Sequence, residues 1–262
     1  MAGVKLFTRE MGIENPDKLI ILHGLFGMSD NWVAIGKYFS RHFHVIIPDL
    51  RNHGNSPHTE EFNYDLMMED VVMMMEDKGI DEAVFLGHSM GGKLVMNLAF
   101  HYPERLKKII IADMSMREGE FREIHAAILD TIAKTNLSDF ENYAQLREYF
   151  SKFISQQKIV LFAMKNIRKD SEGKYEWKLN YLSLYNNAHK IMEEVVVGDE
   201  FLKPALFIRG GLSDYVTDDD FDEIKEFFPK AELRTIENAS HWVHADNTKL
   251  FLRLIDEFVA KD

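Results

Sequence analysis

The stretch VFLGHSMGGKLVM (residues 84–96) joins an apolar run to a serine among glycines, and then to a second apolar segment. Gly87 precedes Ser89 by two residues, and Gly91 and Gly92 follow it, so the backbone can bend more tightly than a Cβ would allow. We predict a strand, a strained turn that carries Ser89, and a helix that begins directly after it. This arrangement would expose the Ser89 hydroxyl at the carboxyl edge of a sheet and make it a candidate nucleophile.

Short apolar runs alternate with amphipathic segments on both sides of this stretch. The runs are rich in Ile, Val, Leu and Phe, which is typical of strands covered on both faces in a parallel sheet. Their alternation with helices predicts an α/β fold, a mostly parallel sheet flanked by helices. The predicted strands are KLIIL (18–22), FHVII (43–47), EAVFL (82–86), KKIIIA (107–112), PALFIR (204–209) and ELRTIE (232–237). The main predicted helices are residues 30–40, 64–78, 90–101 and 247–260.

Residues 115–199 interrupt this alternation. The segment contains helical stretches such as REIHAAILDTIAK (122–134) and ENYAQLREYFSKFI (141–154), and it shows no clear strand pattern. Because structureless loops of this length are rare, we interpret the segment as an inserted helical cap. The predicted domain organisation is a core formed by residues 1–114 and 200–262, with the cap insertion between them.

The composition limits the classes of partner. The chain has 262 residues, 46% of them hydrophobic, which suits one large globular domain or a core with an insertion. A formal charge of −12 disfavours binding to nucleic acid or to an anionic membrane. No secretory signal pattern is visible, and no apolar run approaches the roughly 20 residues that span a bilayer. We therefore expect a cytoplasmic protein without membrane insertion, and the sequence leaves its oligomeric state open.

The loop HGLFG (residues 23–27) directly follows the first predicted strand. An acyl-transfer enzyme needs N–H donors for the oxyanion that develops on the attacked carbonyl. The helix after the candidate nucleophile begins at Met90, whose N–H can point at that charge. We expect the second donor to be the N–H of Leu25, with Phe26 as the alternative. Taken alone, the segment could also be an ordinary glycine-rich turn from a strand into a loop, with His23 hydrogen-bonded to the backbone.

A serine hydroxyl needs a general base at neutral pH, and histidine is the usual one. Among eleven histidines, His241 in IENASHWVHAD (236–246) lies between the last predicted strand and the last predicted helix, so it can fold over the same sheet edge. We expect His244 to be hydrogen-bonded inside the interface between sheet and helix. His42 and His44 alternate on one strand, but two histidines without a third ligand are more often packing residues, so we predict no metal site.

Taken together, four motifs resemble the α/β-hydrolase fold family. They are HGLFG (23–27), DLRNHGNS (49–56), GHSMGG (87–92) and SHWVHAD (240–246). Within that family the chain is similar to the small bacterial serine esterases of the YbfF type, and the resemblance covers nearly the whole chain. It implies a Ser-His-acid triad, hydrolysis of acyl esters or thioesters, and no cofactor. We interpret Arg51 and His53 of the second motif as loop scaffolding.

Two carboxylates compete for the third place in the triad. In most of the family the acid follows the strand that corresponds here to PALFIRGG (204–211), but GGLSDYV (210–216) puts Ser213 at that position. Asp214 lies one residue late, and one residue moves a Cα by about 3.8 Å and turns the side chain to the other side. Asp113 ends the preceding predicted strand, and some family members take their acid from that strand. We favour Asp113 and keep Asp214 as the alternative.

The sequence thus predicts a carboxylesterase that cleaves short- to medium-chain acyl esters through an acyl-enzyme intermediate. Ser89, His241 and Asp113 are the predicted triad, and a small-molecule ester is the expected partner. An acyl-CoA thioesterase or a carbon–carbon bond hydrolase with the same triad is the alternative enzyme. A ligand sensor on the same fold is the alternative outside enzymes, since a fold does not fix a function.

Overall fold

A computed structural model describes residues 3–261 and contains one large sheet within them. The strands of this sheet are β1 (Thr8–Met11), β2 (Lys18–Leu22), β3 (His44–Pro48), β4 (Ala83–His88), β5 (Leu106–Ala112), β8 (Ala205–Gly210) and β9 (Ala231–Ile236). They occur in the order β1-β3-β2-β4-β5-β8-β9; β1 runs antiparallel to β3, and the other neighbours are parallel. The predicted fold class, a mostly parallel sheet flanked by helices, is confirmed.

Helices cover both faces of this sheet. On one face, Met67 and Leu94 belong to a large apolar cluster, and on the other, Phe39 and Phe251 pack against the strands. The near-continuous apolar strands are therefore buried on both sides, as a parallel sheet requires. The helices outside the segment between β5 and β8 are α1 (Val33–Phe39), α2 (Tyr64–Asp77), α3 (Met90–His101), α9 (Asp218–Phe227), α10 (Val243–Asp246) and α11 (Thr248–Val259).

Residues 113–204, all of which the structure describes, form helices and a two-stranded hairpin. The elements are α4 (Glu123–Lys134), α5 (Tyr143–Ser151), α6 (Gln157–Met164), β6 (Ile167–Lys169), β7 (Tyr175–Trp177), α7 (Tyr181–Asn186) and α8 (Ala188–Met192). The helices match the expectation for this segment, whereas the hairpin was not predicted because its strands have only three residues each. The cap boundaries at residues 115–199 stay a prediction.

The register of the sheet brings two candidate residues together. His88 at the end of β4 pairs with Ala112 at the end of β5, so Ser89 and Asp113 both lie one residue beyond the paired ends. The N–H of Ser89 donates to the carbonyl of Ala112 (3.2 Å), and the N–H of Asp113 donates to the carbonyl of Ile208 on β8 (2.8 Å). Adjacent parallel strands therefore present the two residues at the same carboxyl edge, where ligands bind in open α/β sheets.

Two observations concern the expected partners. Within residues 3–261, no helix is long and apolar enough to cross a bilayer. The same residues contain no group of three or more His, Asp or Glu side chains that could hold a metal ion. His44 instead contacts Glu10 on the antiparallel neighbour β1, with 2.7 Å between Nε2 and the carboxylate.

Candidate active site

Ser89 occupies a strained turn between β4 and α3. Its backbone angles are φ 55° and ψ −122°, a conformation that costs a residue with a Cβ about 1–3 kcal/mol. The neighbouring glycines permit this turn. A Cβ on Gly87 would lie 2.2 Å from the carbonyl oxygen of Gly91, and a Cβ on Gly91 would lie 2.2 Å from that of Leu22. The start of α3 can therefore pass close to the sheet and hold Ser89 at its carboxyl edge.

His241 and Asp113 form a hydrogen-bonded pair at this edge. The Nδ1–H of His241 donates to the Oδ2 of Asp113 at 2.8 Å, which leaves Nε2 as the nitrogen that can accept a proton. Asp113 is fully buried and also accepts hydrogen bonds from the N–H of Gly210 (2.8 Å) and from the hydroxyl of Ser213. The ring of Tyr215 stacks on His241 with 3.7 Å between centroids. Asp113 and Tyr215 together fix the orientation of the imidazole.

Asp214 lies in a different environment. Its side chain is 74% exposed and pairs with the guanidinium of Arg122 at 2.7 Å. The hydrogen bond from Arg122 holds the pKa of Asp214 below its ordinary value. The backbone carbonyl of Asp214 accepts a hydrogen bond from Arg117 (2.8 Å). Of the two candidate acids, Asp113 is the one that contacts His241.

The backbone amides of Leu25 and Met90 are the two predicted oxyanion donors. Within residues 3–261, neither amide donates to a protein acceptor. Met90 is the first residue of α3, so its N–H lies at the positive end of the helix. The amide of Phe26, the alternative donor, is already directed at the Nε2 of His53 (3.3 Å). This contact favours Leu25 over Phe26.

The loop after β3 contacts the HGLFG loop through hydrogen bonds. The Nδ1–H of His53 donates to the carbonyl of Arg51 (2.8 Å), so its Nε2 is the acceptor that Phe26 meets. Burial lowers the pKa of His53 well below its ordinary value and keeps the ring neutral. Arg51 forms a buried two-bond ion pair with Asp70, at 2.6 and 2.7 Å. His23 accepts the N–H of Leu50 at 2.9 Å. These contacts are structural, in agreement with the interpretation of Arg51 and His53 as scaffolding.

Two cavities meet at Ser89. The large cavity has a volume of about 710 Å³, and the small cavity has a volume of about 240 Å³. Residues that border only the large cavity include Trp32, Ile128, Ile159, Phe162, His241 and Trp242. Residues that border only the small cavity include Met90, Lys93, Met114, Ser115, Arg117 and Met192. Leu25, Ser89, Arg122, His125 and Tyr215 border both.

His125 is a site residue that the sequence did not reveal. It lies on α4, borders both cavities, and packs edge-on against Phe26 with 6.2 Å between ring centroids. Its buried Nδ1 has no hydrogen-bond partner within residues 3–261, and burial lowers its pKa to about 4. The spacing of apolar residues in α4 did not indicate His125. Such spacing predicts which face of a helix is buried, but it does not distinguish a packed core from a cavity wall.

His244 differs from its expected setting. Its ring stacks on Trp32 with 4.3 Å between centroids and lies near the rings of His88 at the end of β4 (4.7 Å) and Phe251 of α11 (6.2 Å), so it packs between sheet and helix as expected. However, its buried Nδ1 has no hydrogen-bond partner within residues 3–261, so the predicted hydrogen bond is not found at this atom. Burial lowers the pKa of His244 to about 3, and the ring is therefore neutral near neutral pH.

Comparison with known proteins supports the same fold and class. A sequence model described as the alpha/beta hydrolase fold matches residues 18–248. A putative esterase/lipase of Haemophilus influenzae is 35% identical, over 95% of this chain and 85% of that protein. Esterase YbfF of Escherichia coli is 32% identical over 94% of each chain. A solved structure titled marine microorganism esterase superposes with a TM-score of 0.94 at 36% identity and covers 98% of this chain and 100% of that chain.

Other relatives extend the comparison to lipases. The sn-1-specific diacylglycerol lipase ABHD11 of Danio rerio is 30% identical, over 92% of this chain and 78% of that protein. The expected resemblance to YbfF-type esterases and the expected class of hydrolase are thus confirmed. The chain belongs to the α/β-hydrolase fold family, and within it to the hydrolases of the esterase/lipase type.

Proposed function

We propose that this protein is a serine carboxylesterase that uses Ser89 as nucleophile, His241 as general base and acid, and Asp113 as the orienting acid. The observation that carries the proposal is the 2.8 Å contact between Asp113 and His241, at the same sheet edge as the strained Ser89. An aspartate bonded to Nδ1 holds the imidazole in the tautomer whose Nε2 can take the serine proton. No cofactor takes part in this chemistry.

In the acylation step, His241 takes the proton of Ser89 while the hydroxyl oxygen attacks the ester carbonyl. The carbonyl oxygen becomes negative, and the amides of Leu25 and Met90 stabilise that charge, which is the largest single contribution in enzymes of this kind. His241 then donates its proton to the leaving oxygen, and the tetrahedral intermediate collapses as the alcohol departs. Ser89 is left as an acyl ester.

In the deacylation step, water replaces the alcohol. His241 accepts a proton from the water, whose oxygen attacks the acyl-enzyme, and the same amides stabilise the second oxyanion. The proton returns to Ser89 as the acid leaves. Asp113 stays ionised throughout and stabilises the imidazolium that forms twice in the cycle.

The predicted cap would limit the substrate. Ile128 of α4 and Ile159 and Phe162 of α6 border the large cavity, which supports a covered site for a largely apolar ester. We propose short- to medium-chain acyl esters as substrates and a cap formed by residues 115–199. The cytoplasmic location stays a prediction.

The proposal is tested with Ser89→Ala and p-nitrophenyl butyrate. We expect wild type to release a burst of nitrophenol equal to the enzyme concentration, and Ser89→Ala to lose the burst and at least about 10³-fold in kcat. Ser138→Ala, at an exposed serine that borders neither cavity, is the matched control and should keep the burst. Full turnover by Ser89→Ala would refute the mechanism. Saturable ester binding by wild type without turnover would instead identify a ligand sensor.

A further inference from the structure

The two cavities that meet at Ser89 pose a question of orientation. An ester has an acyl side and an alcohol side, and it can lie across the nucleophile in either direction. The large cavity has about three times the volume of the small one, about 710 against 240 Å³. The two cavities therefore set different size limits on the groups that they hold. The direction of binding decides whether the acyl chain or the leaving group meets the smaller limit.

The position of His241 decides the direction. In the proposed mechanism, the imidazole that takes the serine proton must hand it to the leaving oxygen, so the leaving group departs on the imidazole side of the nucleophile. His241 borders the large cavity and not the small one. Its neighbours Ser240 and Trp242 also border only the large cavity. The leaving oxygen can thus be protonated when the alcohol side points into the large cavity.

The acyl side must then lie on the opposite side of Ser89. Met90, whose amide is one of the two oxyanion donors, borders the small cavity and not the large one. Leu25, which carries the other donor, borders both cavities and so lies at their junction. A carbonyl oxygen held between these two amides, with its alcohol side toward His241, directs the acyl chain toward Met90 and the small cavity.

We propose that the ester binds with its acyl chain in the small cavity and its alcohol in the large cavity, and that the preferred substrates join a short acyl chain to a bulky apolar alcohol. The proposal rests on the esterase mechanism proposed above and adds the direction of binding and the substrate class. It assigns the size limit on the acyl chain to the small cavity, which α3 borders, and the preference for the alcohol to the large cavity, which α6 borders.

The linings of the two cavities agree with this assignment. Trp32, Ile159, Phe162 and Trp242 give the large cavity an apolar, aromatic wall that suits a hydrocarbon alcohol. Two of the charged side chains that border the small cavity, Lys93 and Arg117, already have partners. Lys93 donates to the carbonyls of Met192 (3.1 Å) and Glu193, and Arg117 pairs with Asp220 at 2.7 Å. These fixed polar groups limit the length of apolar chain that the small cavity can hold.

The direct test uses two isomeric esters, decyl acetate and ethyl decanoate. They contain the same atoms and differ only in which side of the ester carries the long chain. We expect kcat/KM for decyl acetate to exceed that for ethyl decanoate by at least about tenfold, the effect of burying one or two additional methylenes. Acid release is followed at constant pH with both esters below their solubility limits. A ratio near one, or a preference for ethyl decanoate, would overturn the proposal.

Two variants locate the preference in the cavities. Met192→Ala trims a half-buried side chain of the small cavity, and Phe162→Ala trims one of the large cavity. Met192→Ala should change the chain-length profile of ethyl esters more than that of alkyl acetates, and Phe162→Ala should do the opposite. The reverse pattern, or equal changes in both profiles, would contradict the assignment.

The same experiment separates this inference from the esterase proposal. Inclusion of Ser89→Ala shows whether hydrolysis of both esters depends on the proposed nucleophile. Loss of hydrolysis in Ser89→Ala together with a preference for ethyl decanoate in wild type would leave the mechanism standing and reject the direction of binding. Hydrolysis that survives in Ser89→Ala would reject the mechanism itself.

Discussion

The end of β5 and the loop after β8 each present a carboxylate near the histidine loop, and the two settings are opposite. Asp113, after β5, is fully buried, accepts hydrogen bonds from Gly210 and Ser213, and contacts His241. Asp214, after β8, is largely exposed and is paired with Arg122. The first carboxylate is held at a fixed distance from the imidazole, whereas the second belongs to a surface ion pair.

We infer from these two settings that burial and hydrogen bonding indicate the orienting acid better than position in a motif does. A buried carboxylate is stable only when hydrogen bonds replace its water, and Asp113 has three donors around it. Those donors also fix its position, which is what an orienting acid requires. An exposed ion pair such as that of Asp214 contributes little, about 0–1 kcal/mol.

The largest expected effect comes from changing each acid in turn. Asp113→Asn should lower kcat about 10⁴-fold, because the amide would favour the wrong imidazole tautomer and would not stabilise its cation. Asp214→Asn should lower kcat less than about threefold, since it removes only a surface pair. Both proteins are compared by steady-state kinetics under one set of conditions, in which urea unfolding shows that they are similarly stable. A large loss of kcat in Asp214→Asn together with a nearly normal kcat in Asp113→Asn would reverse the assignment.

A second variant moves the acid from one strand to the other. The hydroxyl of Ser213 touches the carboxylate of Asp113, so an aspartate at position 213 can reach the same place near His241. We expect the double variant Asp113→Asn, Ser213→Asp to recover about 10²-fold of the kcat that Asp113→Asn loses, about 2.7 kcal/mol of the lost transition-state stabilisation. Ser213→Asn in the same background is the control without a charge. No recovery by the aspartate would mean that backbone position matters more than charge here.

A smaller effect is expected at the contact between His53 and the HGLFG loop (residues 23–27). His53→Phe removes the acceptor for the N–H of Phe26, which frees the loop that positions the Leu25 amide. We expect kcat to fall about tenfold with a smaller change in KM, because the loss concerns the transition state. His53→Gln, which keeps an acceptor, should lose less. Equal kinetics for the two variants would show that the Phe26 contact does not position the loop.

The smallest effect concerns stability and pH. The pKa of His244 is about 3 in the folded protein because the ring is buried, and about 6.5 when the chain is unfolded. Between these values the unfolded state binds one more proton, so the free energy of unfolding falls as the pH falls from 6.5 toward 3. His244→Phe, which can keep the stack on Trp32, should reduce that slope by up to about 1.4 kcal/mol per pH unit.

This slope is measured by urea unfolding at several pH values from 7.5 to 4.5. Wild type and His244→Phe should converge in pH dependence above pH 7, where the histidine is neutral in both states. Ser138→Ala, at an exposed residue without a titratable side chain, is the control, and it should keep the wild-type slope. An unchanged slope in His244→Phe would show that His244 does not resist protonation in the folded protein.

Much of the sheet could be predicted from the sequence because its parallel strands are apolar runs. KLIIL, predicted at residues 18–22, forms β2 as Lys18–Leu22, and the predicted helix at residues 90–101 forms α3 as Met90–His101. The edge strand β1 was missed because TREM (residues 8–11) is mostly polar and gains its place by antiparallel pairing with β3. Pairing of that kind leaves no pattern in the strand itself.

The candidate site was predictable to the extent that each residue belongs to a local motif. Ser89 is marked by its glycines and His241 by its place after the last strand, and the structure brings both to the same cavity. The choice between Asp113 and Asp214 depends on which side chain is buried beside His241, which is a tertiary property. His125 could not be found, because it reaches the site from α4, whose placement over the sheet edge the local sequence does not encode.

Covalent labelling tests most directly whether Ser89 is the nucleophile that His241 and Asp113 activate. The protein is treated with a fluorophosphonate, and the adduct is located by mass spectrometry of its peptides while residual esterase activity is followed. We expect one adduct per chain, on Ser89, in step with loss of activity, at a similar rate in Asp214→Asn and far more slowly in Asp113→Asn. An adduct on another residue, or full activity in a protein fully labelled at Ser89, would contradict this role of Ser89.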